Sequence, residues 1–503
     1  MEAVVDRARA WAQTERHFEV DAEQLRACLL AVLPADRVLR APEELIPYEC
    51  DGLSVFRAQP LAVVLPQSED EVVAVLKVCH EMGVPVVPRG AGTGLSGGAM
   101  PHPQGVVLSL ARLNRILAID PVARTARVQP GVRNLAISEA VAPYGLYYAP
   151  DPSSQIACTI GGNVAENSGG VHCLKYGLTV HNVLAVRGFT ASGEPVAFGS
   201  VAPDAPGYDL LALTIGSEGM LAVVTEITVR LLPKPVVAKC LLAAFDSVRA
   251  AGEAVAAVIA AGIIPAGLEM MDRGATVAVE DFIHAGYPTD AEALLLCEAD
   301  GTEAEVAEEI ARMKAVLEAH GATEIRVSRD EAERLRFWAG RKAAFPAAGR
   351  ISADYYCMDG TIPRRAIGAM LEAIREMESR YGLRCLNVFH AGDGNLHPLI
   401  LFDANVPGEW ERAEAFGAEI LERSVALGGT ITGEHGVGVE KINQMCVQFT
   451  PEEREAFFQI KAAFDPDGVL NPGKAIPTLH RCAEYGKMRV SGGALPFPEL
   501  PRF

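Results

Sequence analysis

The sequence predicts an α+β fold in several successive domains, and three observations carry that reading. From about Pro60 to Leu232, short β-like runs follow one another between glycine and proline turns. A capped amphipathic helix is set among the first of these runs. Beyond Pro233-Lys234-Pro235 the texture changes to longer helical patterns flanked by short strands, which reads as a second α+β unit.

Leu61-Ala62-Val63-Val64-Leu65 is a short apolar run bounded by prolines and reads as a strand. Ser68-Glu69-Asp70-Glu71 is a capping box, opening a helix with Val72, Val73, Leu76 and Cys79 on its apolar side. Gly83 stops that helix, and Val84–Pro88 follows as a strand leading into a glycine-rich loop. Further strands are expected at Val106–Leu110, Ile116–Ile119, Ala126–Pro130, Leu184–Thr190 and Leu221–Leu232. Past the hinge, helices are expected at Val306–Ala319 and Ala366–Tyr381, each running into a glycine, with strands at Ala293–Cys297 and Cys385–Phe389. At roughly 150 residues per domain the chain has room for about three. It divides into an N-terminal helical segment (1–54), a strand-rich domain (55–233), a second α+β domain (234–428) and a C-terminal segment (429–503).

Half of the 503 residues are hydrophobic and 22% are charged, enough for large cores and against disorder. A net charge of −19 argues against binding a nucleic-acid backbone, although a local arginine can still hold an anionic substrate. The N-terminus has no apolar run of the kind a secretory signal needs. Ala254–Met271, the most apolar stretch, is interrupted by Gly262, Pro265 and Glu269 and is too short to span a bilayer. A cytoplasmic protein is expected, with any membrane contact made through a partner or a surface patch. No two of the eleven cysteines form C-x-x-C, which argues against a zinc ribbon or an iron–sulfur cluster held by this chain. Their odd number fits reduced thiols.

The densest signal is the loop Pro88-Arg89-Gly90-Ala91-Gly92-Thr93-Gly94-Leu95-Ser96-Gly97-Gly98. It contains both a dinucleotide fingerprint and a nucleophile elbow, but each needs a helix directly afterwards. Met100-Pro101-His102-Pro103 follows instead, and two prolines so close oppose one. What remains is a loop whose backbone N–H groups, free of Cβ atoms, can lie against a pyrophosphate. Thr159-Ile160-Gly161-Gly162-Asn163-Val164-Ala165-Glu166-Asn167-Ser168-Gly169-Gly170 and Gly216-Ser217-Glu218-Gly219 repeat that character, and Pro150-Asp151-Pro152-Ser153-Ser154 is a rigid polar loop. Together they point to a large, phosphate-containing cofactor.

The order of these motifs resembles the FAD domain of the vanillyl-alcohol oxidase / PCMH flavoprotein superfamily. His390-Ala391-Gly392-Asp393-Gly394-Asn395-Leu396-His397, Gly433-Glu434-His435-Gly436 and Asp465–Lys474 resemble its D-2-hydroxyacid dehydrogenase branch. Asp354–Pro363 and the tail Ile476–Phe503 resemble the glycolate-oxidising members in particular. The resemblance implies a PCMH-type, two-subdomain FAD-binding domain, an α+β substrate (cap) domain, and a C-terminal segment that returns to the active site and the FAD domain. It implies that Arg89–Ser96, Pro150–Ser154, Gly161–Asn167, Gly216–Gly219 and Asn471 surround FAD, with Pro88, Gly97, Gly98, Thr159 and Ser168 at their margins. Some members of the superfamily attach the flavin covalently through a histidine in the first glycine loop; Thr93 stands near that place here, so FAD is expected to be non-covalent.

Two histidines seven residues apart, with Gly392 and Gly394 between them, can meet at the end of a strand and turn. With Glu434, His390 and His397 form a common donor set for a divalent metal, or they can simply hydrogen-bond in a polar loop. The resemblance implies that they are metal ligands, with Zn, Mn and Fe all admissible. Oxidising a 2-hydroxy acid requires removal of the hydroxyl proton and hydride transfer from C2 to flavin N5. His435 is the candidate base and Arg341 the candidate carboxylate clamp. Cys357 and Leu399 stand where relatives acting on diacids carry polar groups, which favours a small substrate, glycolate before D-lactate. A second FAD-type subunit and an iron–sulfur subunit are the implied partners. A non-catalytic FAD-binding scaffold is the rival from another class.

Overall fold

The computed structural model describes residues 17–202, 207–478 and 481–482. The start of the N-terminal segment and most of the tail with its resemblance lie outside these residues.

The first sheet holds β1 (Val38–Leu39), β2 (Ala62–Val64), β3 (Val86–Arg89) and β4 (Val106–Ser109) in the order β1-β2-β4-β3. β4 is parallel to both of its neighbours. Parallel strands need a crossover, and the helix Glu69–Glu81 supplies it between β2 and β3. Ser68 Oγ accepts from Glu71 N, as the capping pattern predicts. The buried face is Val72, Val75, Leu76 and Cys79, with Val73 at its flank, because 3.6-residue spacing favours Val75 over Val73.

The second sheet is antiparallel throughout: β5 (Ile116–Asp120), β6 (Thr125–Val128), β8 (Val183–Phe189), β9 (Pro195–Gly199) and β10 (Val223–Arg230), in the order β5-β6-β10-β8-β9. Along β10 burial alternates strictly, with Val223, Thr225, Ile227 and Val229 inside. A small pair, β7 (Leu146–Tyr147) and β11 (Leu232–Pro233), lies beside this sheet.

A seven-stranded antiparallel sheet follows: β12 (Val237–Phe245), β13 (Gly267–Asp272), β14 (Ala293–Gly301), β15 (Ala322–Val327), β16 (Asp354–Cys357), β17 (Cys385–Phe389) and β18 (Pro398–Phe402). Its order is β15-β12-β14-β13-β17-β18-β16. Both faces of its inner strands are covered, so β14, β17 and β18 are buried along almost their whole length, while the edge strand β15 is only partly buried. Leu241, Ala243 and Phe245 of β12 face a core shared with the helices Val248–Ala260, Glu303–Ala319, Ile367–Tyr381 and Glu409–Ala426. Cys240, Leu242 and Ala244 face a second core with the helices Arg273–Ile283, Glu331–Lys342 and Ala344–Ile351.

The chain then returns to the first sheet. Val86 N donates to Val469 O, and Asn471 N donates to Val86 O, so the C-terminal segment lies along the outer edge of β3. Cys446 and Cys482 are joined in a disulfide, which corrects the expectation of uniformly reduced thiols. Spacing could not foretell a pair 36 residues apart, brought together by the turn after the helix Pro451–Phe464. Among the described residues no helix is long and apolar enough to cross a membrane.

Phe245 is fully buried in the core that β12 shares with the helices Val248–Ala260 and Ile367–Tyr381. Phe245→Ala should destabilise the domain that holds it by about 3–5 kcal/mol, read as a lower denaturant midpoint.

Candidate active site

The three glycine clusters and the second half of the chain meet around one cavity of about 450 Å³. Pro88, Arg89, Gly90, Gly92, Thr93, Gly94 and Gly98 line it from the first loop. Ser153 and Ser154, then Thr159, Gly161, Gly162, Asn163 and Ser168, then Glu218 and Gly219 complete that half of the wall. The opposite wall comprises Arg341, Lys342, Phe345, Pro346, His397, Glu434 and His435.

Other expected cofactor contacts stand behind this wall, and each has work there. Ser96 O accepts from Val439 N and Glu440 N, and Gly97 leaves room for the Val439 side chain. Pro150 O accepts from Asn134 Nδ2, while Asp151 Oδ2 lies 2.7 Å from His172 Nδ1. Asn167 Oδ1 accepts from Val180 N, and Gly216 N donates to Val164 O. Asn471 Nδ2 donates to Gly98 O and Glu218 O, tying the C-terminal segment to two of the loops. These residues shape the loops from behind and do not line the cavity. Arg89 lines it, yet its guanidinium is committed to Cys50 O and Pro47 O. Gly92, at φ +69°, is required above it, because a Cβ there would lie 2.1 Å from Arg89 Nη2. The Thr159–Gly170 cluster contains a short helix, Ile160–Glu166, that its glycines conceal from propensity; Thr159 Oγ1 accepts from Gly162 N at its start.

His390 follows β17 and His397 precedes β18, and the turn between them closes with His390 N donating to Asn395 O. Their Nε2 atoms each lie 3.2 Å from Glu434 Oε1, so the strand-and-turn expectation for these two imidazoles matches the geometry. Burial works against charge on His390, but the Glu269 and Glu434 carboxylates hold its pKa well above the ordinary histidine value. Burial likewise opposes the ionised form of Glu434, yet His390 and His397 hold it well below the carboxylate range. Two imidazoles and a carboxylate, buried and converging, favour a positive charge between them. A divalent cation fits this donor set, and its binding would release the protons that otherwise balance the carboxylate.

Arg341 is buried, unlike a surface arginine on an alanine-rich helix. Its Nε donates to Glu269 Oε2 at 2.8 Å, and the other oxygen of Glu269 lies 2.7 Å from His390 Nδ1. Glu269 thus orients both the arginine and one histidine, although the sequence marks it only as a break in an apolar stretch. A lone carboxylate in such a run was the available signal, since burial demands a partner.

His435 stacks on His397 with ring centroids 4.9 Å apart and an angle of 2° between the planes. Burial pushes His435 down to about 4, against the opposing pull of Asp359, so its imidazole is neutral near pH 7. Its loop is held by Asp359, which accepts from Thr432 Oγ1 and from the N–H groups of Gly433, Glu434 and His435. Glu218 holds the far side, accepting from Val437 N at 2.7 Å and Gly438 N at 2.8 Å. Cys357 and Leu399 face one another across β16 and β18 within the second core and do not line the cavity. Their contribution to pocket size is therefore indirect.

A glycine-walled cavity opening onto a buried His, His, Glu and Arg centre defines a flavin-linked oxidoreductase. The chain belongs to the FAD-linked oxidase family: residues 60–199 match its FAD binding domain, and residues 234–475 match "FAD linked oxidases, C-terminal domain". It is an FAD-dependent oxidoreductase. It is 65% identical over 485 residues to glycolate oxidase subunit GlcD of Escherichia coli (strain K12), covering 96% of this chain and 97% of that protein. Glycolate oxidase subunit GlcD of Bacillus subtilis (strain 168) is 42% identical over 85% of this chain and 91% of its own length. A D-lactate dehydrogenase of Anaerostipes hadrus is 34% identical over 87% of this chain and 94% of its own length. Among solved structures, p-cresol methylhydroxylase with substrate bound superposes with a TM-score of 0.75 at 19% identity, covering 91% of this chain and 97% of that one.

Asp359 is fully buried and takes bonds from a whole loop. Asp359→Ala should cost about 3–5 kcal/mol, because it strands the N–H groups of Gly433, Glu434 and His435 away from water and removes one of the two carboxylates beside Lys441. Asp359→Asn should fall between it and wild type in denaturant unfolding.

Proposed function

We propose that the protein oxidises glycolate to glyoxylate and passes the electrons to partner subunits. The observation that carries this reading is the juxtaposition of Arg341, His435, His397 and Glu434 on one wall of the cavity, opposite the glycine loops, with His390 behind that wall against Glu434. The similarity to two glycolate oxidase subunits supports the substrate. In this reading Arg341 holds the substrate carboxylate, oriented by Glu269. His435 takes the hydroxyl proton: it lines the cavity, and its imidazole is unprotonated and so has a nitrogen lone pair to accept one. Bound FAD would supply the two-electron acceptor for the hydride from C2. His390, His397 and Glu434 would hold a divalent ion whose chemistry is to acidify the substrate hydroxyl.

The glycine loops at Gly90–Gly94, Gly98, Gly161–Gly162 and Gly219 would lie against FAD, with Ser153, Ser154, Thr159, Asn163 and Ser168 as polar contacts. The division of labour would follow the expected domains, with the FAD domain over 55–233, the cap over 234–428 and the C-terminal segment closing the site. A second FAD-type subunit and an iron–sulfur subunit are the proposed partners, in keeping with cysteines that nowhere show the C-x-x-C spacing of a cluster site. They would also account for any association with the inner membrane. D-lactate is the second candidate substrate, favoured by the similarity to a D-lactate dehydrogenase.

Anaerobic titration of the FAD-loaded protein with glycolate should bleach the oxidised flavin band. His435→Ala and Arg341→Ala should each abolish bleaching while FAD stays bound. Bleaching by D-lactate alone would replace the substrate and keep the site; a loaded flavin that neither acid reduces, with divalent metal supplied, would refute the proposed roles. Metal analysis should find about one divalent ion per chain, falling sharply in His397→Ala, as loss of a ligand requires.

A further inference from the structure

One carboxyl group in the cavity has no part in the chemistry above. Glu166 closes the helix Ile160–Glu166 and lines the cavity with Gly98, Ser168 and Glu218. Its Oε2 is buried and has no hydrogen-bond partner. Glycines on two separate loops make room for it. A Cβ at Gly98 would lie 2.7 Å from its Oε1, and one at Gly436 would lie 2.0 Å from its Oε2. The carboxyl therefore sits where the first glycine loop meets the loop carrying His435. A buried polar oxygen without a partner is costly, and in native proteins such atoms are commonly completed by a ligand or ordered water.

We propose that Glu166 is a direct hydrogen-bond partner of the bound flavin, donating from its carboxyl group to an acceptor atom of the isoalloxazine ring. The proposal rests on the assignment of FAD to this cavity and is independent of the substrate and of the metal. Glu218 occupies the same corner, with its Oε1 3.1 Å from where a Gly436 Cβ would stand. Two N–H donors, from Val437 and Gly438, already stabilise the ionised form of Glu218, so the proton of this pair belongs on Glu166. Burial pushes Glu166 well above the carboxylate range, and Glu218 and Asp51 push the same way, against the pull of Lys441 and Lys474. Of its charged neighbours, these four side chains act on it most strongly.

A neutral carboxyl offers one donor and one acceptor, which matches the alternating carbonyl and N–H groups along the pyrimidine edge of a flavin. Reduction of a flavin builds negative charge on that edge, so a donor there favours the reduced form. Glu166 would then be a positioning residue for the ring and would also set its potential.

The test uses the full chain reconstituted with FAD and compares wild type with Glu166→Gln and Glu166→Ala. FAD dissociation constant, visible spectrum of the bound oxidised flavin and midpoint potential are the readouts, none of which needs substrate. Glu166→Ala should weaken FAD binding about five- to tenfold, as loss of one desolvated hydrogen bond implies. It should also shift the visible band and lower the potential. Glu166→Gln keeps a neutral donor and acceptor and should stay within about twofold of wild type. If Glu166→Ala lacks folded protein, Glu166→Met fills the space without a donor and is read in the same way. An unshifted spectrum and potential in the variant lacking a donor would overturn the proposal, and so would a glutamine variant as impaired as alanine. Failure of wild type to hold FAD would instead overturn the cofactor assignment.

Discussion

The architecture turns on how one loop, Gly433–Gly438, is held between two buried carboxylates. Its N–H groups belong to no helix or sheet, so other acceptors must satisfy them. Asp359, just after β16, takes those of Gly433, Glu434 and His435, and Glu218, from the strand-rich half, takes those of Val437 and Gly438. Burial disfavours charge on Asp359, but His435, Lys441 and His397 hold it well below its ordinary value, so it remains a full acceptor. Since each carboxylate comes from a different half of the chain, the loop fixes the position of one half against the other. Glu434 and His435 are placed by that registration.

Around the loop, charges alternate. Arg341, Glu269, His390, Glu434, His397 and Asp359 follow one another at separations of 2.7 to 3.6 Å. In a low-dielectric interior each link strengthens its neighbours, and each unpaired member would be correspondingly costly. Such a chain is weak evidence for stability, because burying ions has its own penalty. It is stronger evidence for orientation: the rotamers of Arg341 and His390 are both set by one glutamate that is itself inaccessible to water.

Local order was legible in the sequence wherever period and punctuation agree. Strands of the first half, the helix after Ser68 and the helices ending at Gly321 and Gly382 stand close to where spacing places them. Val75 replaces Val73 on the helix face because Val75 lies three residues from Val72 and four from Cys79, within one 3.6-residue stripe. Glycine clusters were legible as a cavity wall, but not which of their residues face it. Ser96, Asp151 and Asn167 look like ligand contacts in sequence, whereas their partners are Val439, His172 and Val180, many residues away. Glu269 and Asp359 were hidden for the same reason: each is a single carboxylate whose meaning lies in a long-range partner. The Cys446–Cys482 pair was hidden too, since chain distance says nothing of a turn.

A chain of net charge −19 that receives anions poses an electrostatic problem, and the cavity resolves it without opposing the global field. The glycine loops offer backbone N–H groups, which attract a phosphate without adding formal charge. Formal positive charge on the opposite wall comes from Arg341 and Lys342, while on the glycine-loop side Arg89 spends its guanidinium on Cys50 O and Pro47 O. Lys441 lies behind the opposite wall and Lys474 behind the first glycine loop, each engaged with protein acceptors. Burial pushes Lys474 down to about 8, with Glu218 and Asp51 opposing, so even this ammonium is held by its surroundings and not by exposure to water. Attraction of an anion at such a site is local and short-ranged, set by desolvated contacts within a few ångströms. At physiological salt, charges beyond a Debye length of about 8 Å are largely screened, which leaves the acidic exterior little influence over what the cavity holds.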